Sequence, residues 1–135
     1  MAIMIARILQ IVVGLAGLCA LVLGLLIWIA NIDLTDIHML FGLLVTLGLL
    51  VMSTIALTTR GLRIWGTVGI VYAIIVLIFG VSQSTMLIGN LHWLIQTLHT
   101  LVGIGAMVLT GTLGARYMTL KRGEAKPEAS SQALR

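Results

Sequence analysis

Long apolar runs separated by short polar joints set the pattern of this chain. Four runs stand out, at about residues 8–30, 37–58, 62–81 and 91–119. Each has close to the roughly 20 residues that an α-helix needs to cross a hydrocarbon core about 30 Å thick. The joints read NIDLTD, TRG and SQSTMLIGN. Connections this short make successive helices antiparallel neighbours. The pattern therefore predicts an all-α fold, with four transmembrane helices in an up-and-down antiparallel bundle over residues 1–120. The first run is longer than the apolar core of a signal peptide, and no A-x-A site follows it before Asn31, so it is expected to be a retained anchor. The stretch KRGEAKPEASSQALR, residues 121–135, holds the only proline among mixed charges and small polar residues. It is expected to be a disordered cytoplasmic tail.

Composition strengthens this picture. The chain has 135 residues, of which 60% are hydrophobic and 9% charged, and its mean hydropathy of +1.18 excludes an ordinary soluble domain. A formal charge of +4 raises the question of nucleic acid. The Lys and Arg residues lie between the apolar runs and in the tail, not along one face, so no nucleic-acid partner is expected. They mark orientation instead. Arg7 precedes the first span, Arg60 and Arg63 bracket the second joint, and Arg116, Lys121 and Arg122 end the fourth span, while the other two joints carry no Lys or Arg. By the positive-inside rule, both termini are expected on the cytoplasmic side of the inner membrane. Asp33, Asp36 and Asn90 then lie on the outer side. The single cysteine, Cys19, sits in an apolar run and reads as a small packing residue.

Helical phase picks out the chemistry. Stepping about 100° per residue from His92, the positions Gln96, His99, Gly103, Ala106, Thr110, Gly114 and Tyr117 stay within about 40° of one line. That stripe holds no Leu, Ile or Val, so it is expected to face the bundle interior, where polar groups find partners. The second helix repeats the arrangement, with His38, Gly42, Val45, Leu49, Met52 and Ala56 in phase and Ser53 at the edge. Gly14, Gly17 and Gly24 on the first helix, with Gln10, and Gly66, Gly69, Ala73 and Gly80 on the third are expected to bring neighbouring helices close.

An ionisable side chain among membrane helices is costly and points to a functional site. No Asp or Glu lies within the four spans, so a carboxylate-assisted proton relay lacks its partner. A three-histidine site for a bare metal ion needs its ligands at one depth, whereas His92 and His99 differ by about 10 Å along the axis. A haem iron needs only two trans imidazoles, and its apolar macrocycle suits a dry bundle interior. In an up-and-down bundle the second and fourth helices run parallel and stand diagonally opposite. Both carry HxxxG, as His38 with Gly42 and His99 with Gly103, and each glycine would leave room for a porphyrin edge one turn from its ligand. The expected axial pair is His38 and His99, with His92 as the alternative ligand on the fourth helix. In the preferred arrangement His92 and Gln96 lie toward the surface, where they could meet a propionate.

Histidines placed in this way on the second and fourth spans resemble the half-bundle of the haem A synthases and the wider set of four-helix membrane b-type cytochromes. The resemblance covers residues 8–119 and rests on His38, His99 and their glycines. The synthases pair two such halves and have an acidic residue near a histidine of the second helix, whereas here there is one half and Asp36. The resemblance implies haem b coordinated near the outer face. The expected function is thus one-electron transfer by bis-histidine haem b, between a quinone and an outer-face redox protein. No catalytic acid, base or nucleophile is visible. The alternative is a cofactor-free accessory subunit of a larger membrane complex, with the glycine-rich faces of the first and third helices available for a homo-oligomer.

Overall fold

The computed structural model describes residues 2–132, with side chains placed for residues 3–124. Four helices make up almost all of it: α1 (Ala2–Ala30), α2 (Thr35–Thr58), α3 (Arg63–Ser82) and α4 (His92–Gln132). All four are long and apolar enough to cross a membrane. The turns follow from local chemistry. Gly61 joins α2 to α3 at φ 87° and Gly89 precedes α4 at φ 102°, backbone conformations that favour glycine because it lacks a Cβ. A short 3₁₀ turn at Gln83–Thr85 extends the end of α3.

Two boundaries differ from expectation. The first helix begins six residues before position 8, so Arg7 lies within α1, in a stretch rich in good helix formers. At the other end α4 runs on through Gln132, across most of the expected tail. Lys121 and Glu124, one turn apart, pair at 2.7 Å on its surface. Residues 133–135 of that expected tail lie outside the described residues.

The bundle is skewed. Helix α2 touches α1, α3 and α4, while α1 and α3 do not touch among the described residues. The short diagonal therefore runs between α2 and α4, the two helices that carry the histidines. The end of the bundle nearer Arg60 and Arg116 is closed. There Val13 and Ala16 of α1, Leu49, Met52 and Ala56 of α2, and Ala106, Leu113 and Tyr117 of α4 form the core. On α3, Gly66 lies directly against the backbone of Leu57 and the Ser53 carbonyl, so two helix backbones meet with no side chain between them. Gly69 receives the Ser53 side chain, and Gly48 receives Val13. Gly14, expected to serve the same purpose, faces open space: a methyl group added there would meet nothing within 4 Å. The contact line of α1 runs instead through Ala6, Val13, Ala16 and Gly17, and Gly14 is turned about 100° from Val13.

Polar groups in this half are satisfied without water, as a hydrocarbon setting requires. Ser53 Oγ donates to Leu49 O at 2.6 Å and Thr110 Oγ1 to Ala106 O at 2.8 Å, each within its own helix. Two side chains cross between helices: Gln10 Nε2 donates to Gly111 O at 2.7 Å, and Tyr72 OH to Val102 O at 3.0 Å. Outside, Leu15, Val71, Ile78, Leu101 and Val108 are exposed, which suits contact with acyl chains.

Candidate functional site

Beyond Val45 the bundle opens. A partly open cavity of about 280 Å³ lies between α1, α2 and α4, with Val76 as the only contribution from α3 itself. Small residues from three helices leave its space, beside larger apolar groups such as Leu21, Ile27, Trp28 and Ile104. Gly17, Ala20 and Gly24 come from α1, Gly42 from α2 and Gly103 from α4, and Met107 closes the floor by packing into the notch at Gly17. Among the described residues no Asp, Glu, Lys or Arg lines it; the polar groups Thr35, Gln83, Ser84, His92 and Gln96 gather toward one end, next to the polar joints.

All six residues picked out by phase and spacing, His38, Gly42, His92, Gln96, His99 and Gly103, line this one cavity. The short α2–α4 diagonal brings two of the imidazoles together: the ring centres of His38 and His99 are 5.9 Å apart, with planes inclined at 58°. Two imidazoles bound on opposite sides of one iron have ring centres about 6 Å apart, since each metal–nitrogen bond is roughly 2 Å and each nitrogen lies about 1 Å from its ring centre. Where both nitrogens lie on the line joining the rings, rotation about that line leaves the inclination of the planes free. The third imidazole does not join the pair. His92 is at the rim, one turn nearer the start of α4 than Gln96, and its Nδ1 is held by Met86 O at 3.1 Å.

Each ring of the facing pair is seated differently. His38 Nδ1 lies 2.9 Å from Ala20 O on α1. A carbonyl only accepts, so Nδ1 carries the proton and donates it, and Nε2 keeps its lone pair. Gly24 is packed against the same ring, with a methyl position 3.1 Å from His38 Cε1. His99 Nδ1, in contrast, is buried and has no hydrogen-bond partner among the described residues. Its ring leans on Phe79 at a centre distance of 6.0 Å, and a methyl position on Gly80 lies 3.7 Å from His99 Cε1. An orphaned buried nitrogen is uncommon, and its burial leaves Nε2 as the nitrogen through which His99 can meet a ligand.

The glycines of the two HxxxG motifs combine two properties that a flat ligand needs. A methyl group built on Gly42 or Gly103 meets nothing within 4 Å, as is also true of Gly14 and Gly111, but only Gly42 and Gly103 of these four line the cavity. The donor set, the ring spacing and the open glycines thus fit a planar iron macrocycle. The cavity is at the small end of the roughly 300–1,000 Å³ typical of ligand sites, so a group of haem size would extend through its open side. A bare metal ion is poorly served: no group of three or more His, Cys, Asp or Glu able to hold one occurs among the described residues.

Three parts of the site were hidden in the sequence. The Ala20 carbonyl is one, because every residue carries a carbonyl and only packing selects which one a histidine meets. Gly24 and Gly80 read as helix-packing residues, yet they seat His38 and His99. Phe79 gave no signal among the many apolar residues of α3. No family model, no curated protein and no solved structure matches the chain.

Proposed function

We propose that this chain is an integral membrane haem b protein in which His38 and His99 are the axial ligands, and that it carries one electron at a time. The observation that carries this reading is the pair of imidazoles 5.9 Å apart across a cavity whose two HxxxG glycines face open space. Bound there, haem would supply reversible one-electron chemistry at iron.

The residues define what the site would do. His38, with its proton on Nδ1, presents Nε2 as a ligand on one side, and His99 answers from the other. Ala20, Val45, Val76 and Met107 exclude water from the floor. Thr35, Gln83, Ser84, His92 and Gln96 offer hydrogen-bonding groups that would meet the carboxylate side chains of the macrocycle. A lining without Asp, Glu, Lys or Arg favours the oxidation state of lower net charge, the ferrous one, and so raises the reduction potential relative to a water-exposed site. Taken with the basic residues at the closed end, the positive-inside rule favours a cavity near the outer face. With imidazoles from His38 and His99 available to hold it, bound haem would suit electron transfer. A membrane quinone and an outer-face redox protein would be the exchange partners.

The test is the absorption spectrum of the protein purified from haem-replete cells. One haem per chain and a sharp α band on reduction are expected. A colourless, folded preparation would overturn the reading and leave the cofactor-free accessory subunit.

A further inference from the structure

The two facing histidines are not equivalent, and the difference lies on the atoms that would stand behind the ligand bonds. His38 donates Nδ1–H to Ala20 O at 2.9 Å. That bond orients the ring, fixes the tautomer with a free Nε2 lone pair, and makes that lone pair more basic, as partners behind a metal-bound histidine do. Gly24 pins the same ring, with a methyl position only 3.1 Å from Cε1. His99 lacks both features. Its Nδ1 is closed off without a partner among the described residues, and a methyl position on Gly80 stands 3.7 Å from Cε1. A ligand must therefore meet Nε2 of His99, which obliges the proton to sit on Nδ1, where no acceptor waits. Such an N–H carries its desolvation cost into every state in which the Nε2 bond is made.

We infer that His38 is the anchoring ligand and His99 an exchangeable one, so that the site admits a small neutral two-electron donor, such as a diatomic gas, in the place of His99. This inference rests on the haem reading above and deepens it. The exchange is balanced within itself: the lone pair of His99 Nε2 returns to the ring, the lone pair of the incoming donor takes the vacated position, and no electron changes hands. The loose seat between Phe79 and Gly80 gives the released ring room to turn.

The experiment starts with the unaltered protein, reduced and exposed to carbon monoxide. The expected result is a shift of the haem bands to those of a carbon monoxide adduct. In parallel, His99→Ala should keep its pigment, become high-spin, and regain a low-spin spectrum on addition of imidazole. His38→Ala should weaken haem retention by roughly 10- to 100-fold more than His99→Ala, the range set by the supporting partners of a ligating histidine. Circular dichroism checks that both variants retain their helices. If His38→Ala does not fold, the carbon monoxide response of the unaltered protein and the imidazole rescue of His99→Ala decide the matter. A low-spin spectrum indifferent to carbon monoxide, or greater pigment loss from His99→Ala than from His38→Ala, would overturn the inference while leaving bis-histidine haem intact. A colourless unaltered protein would remove both.

Discussion

The two halves of this bundle use the same residue type for opposite ends. In the closed half, Gly66 removes a side chain so that two helices can touch, and it rests on the backbone of α2 at Leu57. In the open half, Gly42 and Gly103 remove a side chain and nothing takes its place. The difference comes from the neighbours. Gly66 meets the backbone of Leu57 and the carbonyl of the fully buried Ser53, whereas Gly42 and Gly103 line a cavity beside His38 and His99. A small-residue pattern in a membrane chain thus has two meanings, and only the partner across the gap separates them.

Substitutions that exchange these meanings should break the comparison where it is strongest. Gly66→Leu is expected to have the largest effect, about 3 kcal/mol or more of lost stability, because the added side chain meets backbone that cannot turn away. Thermal unfolding in detergent, followed by circular dichroism, would show it as a clear drop in midpoint, and an unchanged midpoint would refute the close approach of α2 and α3. Leu49→Ala comes next, at about 2 kcal/mol. Its side chain is wholly buried; the cavity left behind is costly, while the transfer term is small when lipid is the alternative environment.

Gly103→Leu sharpens the contrast from the other side. The new side chain would enter open space, so the unfolding midpoint in the absence of haem should move by less than about 1 kcal/mol equivalent, while haem retention falls sharply. Retained pigment with a normal spectrum would show that the cavity beside Gly103 is not where the macrocycle lies. The smallest effect is expected at the far end of α4. Lys121→Ala removes an exposed ion pair with Glu124, and no change in unfolding midpoint should be measurable. A clear loss there would mean that the extension of α4 beyond the span supports the bundle.

Much of this could be read from the chain before any coordinates. The four spans follow from run length, and the interior faces of α2 and α4 from phase: Val45, Leu49, Met52 and Ala56 are buried as the stripe from His38 requires, and Ala106, Thr110 and Tyr117 as the stripe from His92 requires. Phase also brings His38, His92 and His99 to one lining. It failed at single residues. Leu113 is fully buried although it lies outside the stripe, and Gly14 faces open space although it lies among the glycines of α1. Both misses come from helix crossing. A skewed bundle moves the contact line sideways along a helix, and a straight stripe cannot follow it.

Sequence by itself determined that the chain is a set of membrane spans, that α2 and α4 carry imidazoles inward, and that glycine stands one turn beyond two of them. These are properties of one helix at a time, set by length, hydropathy and a repeat of 3.6 residues. Tertiary structure alone decided that α2 and α4 form the short diagonal, that His99 rather than His92 faces His38, and that the Ala20 carbonyl holds one ring while the other is left without a partner. Those outcomes depend on distances between helices, to which every residue of the interface contributes and which no single segment encodes.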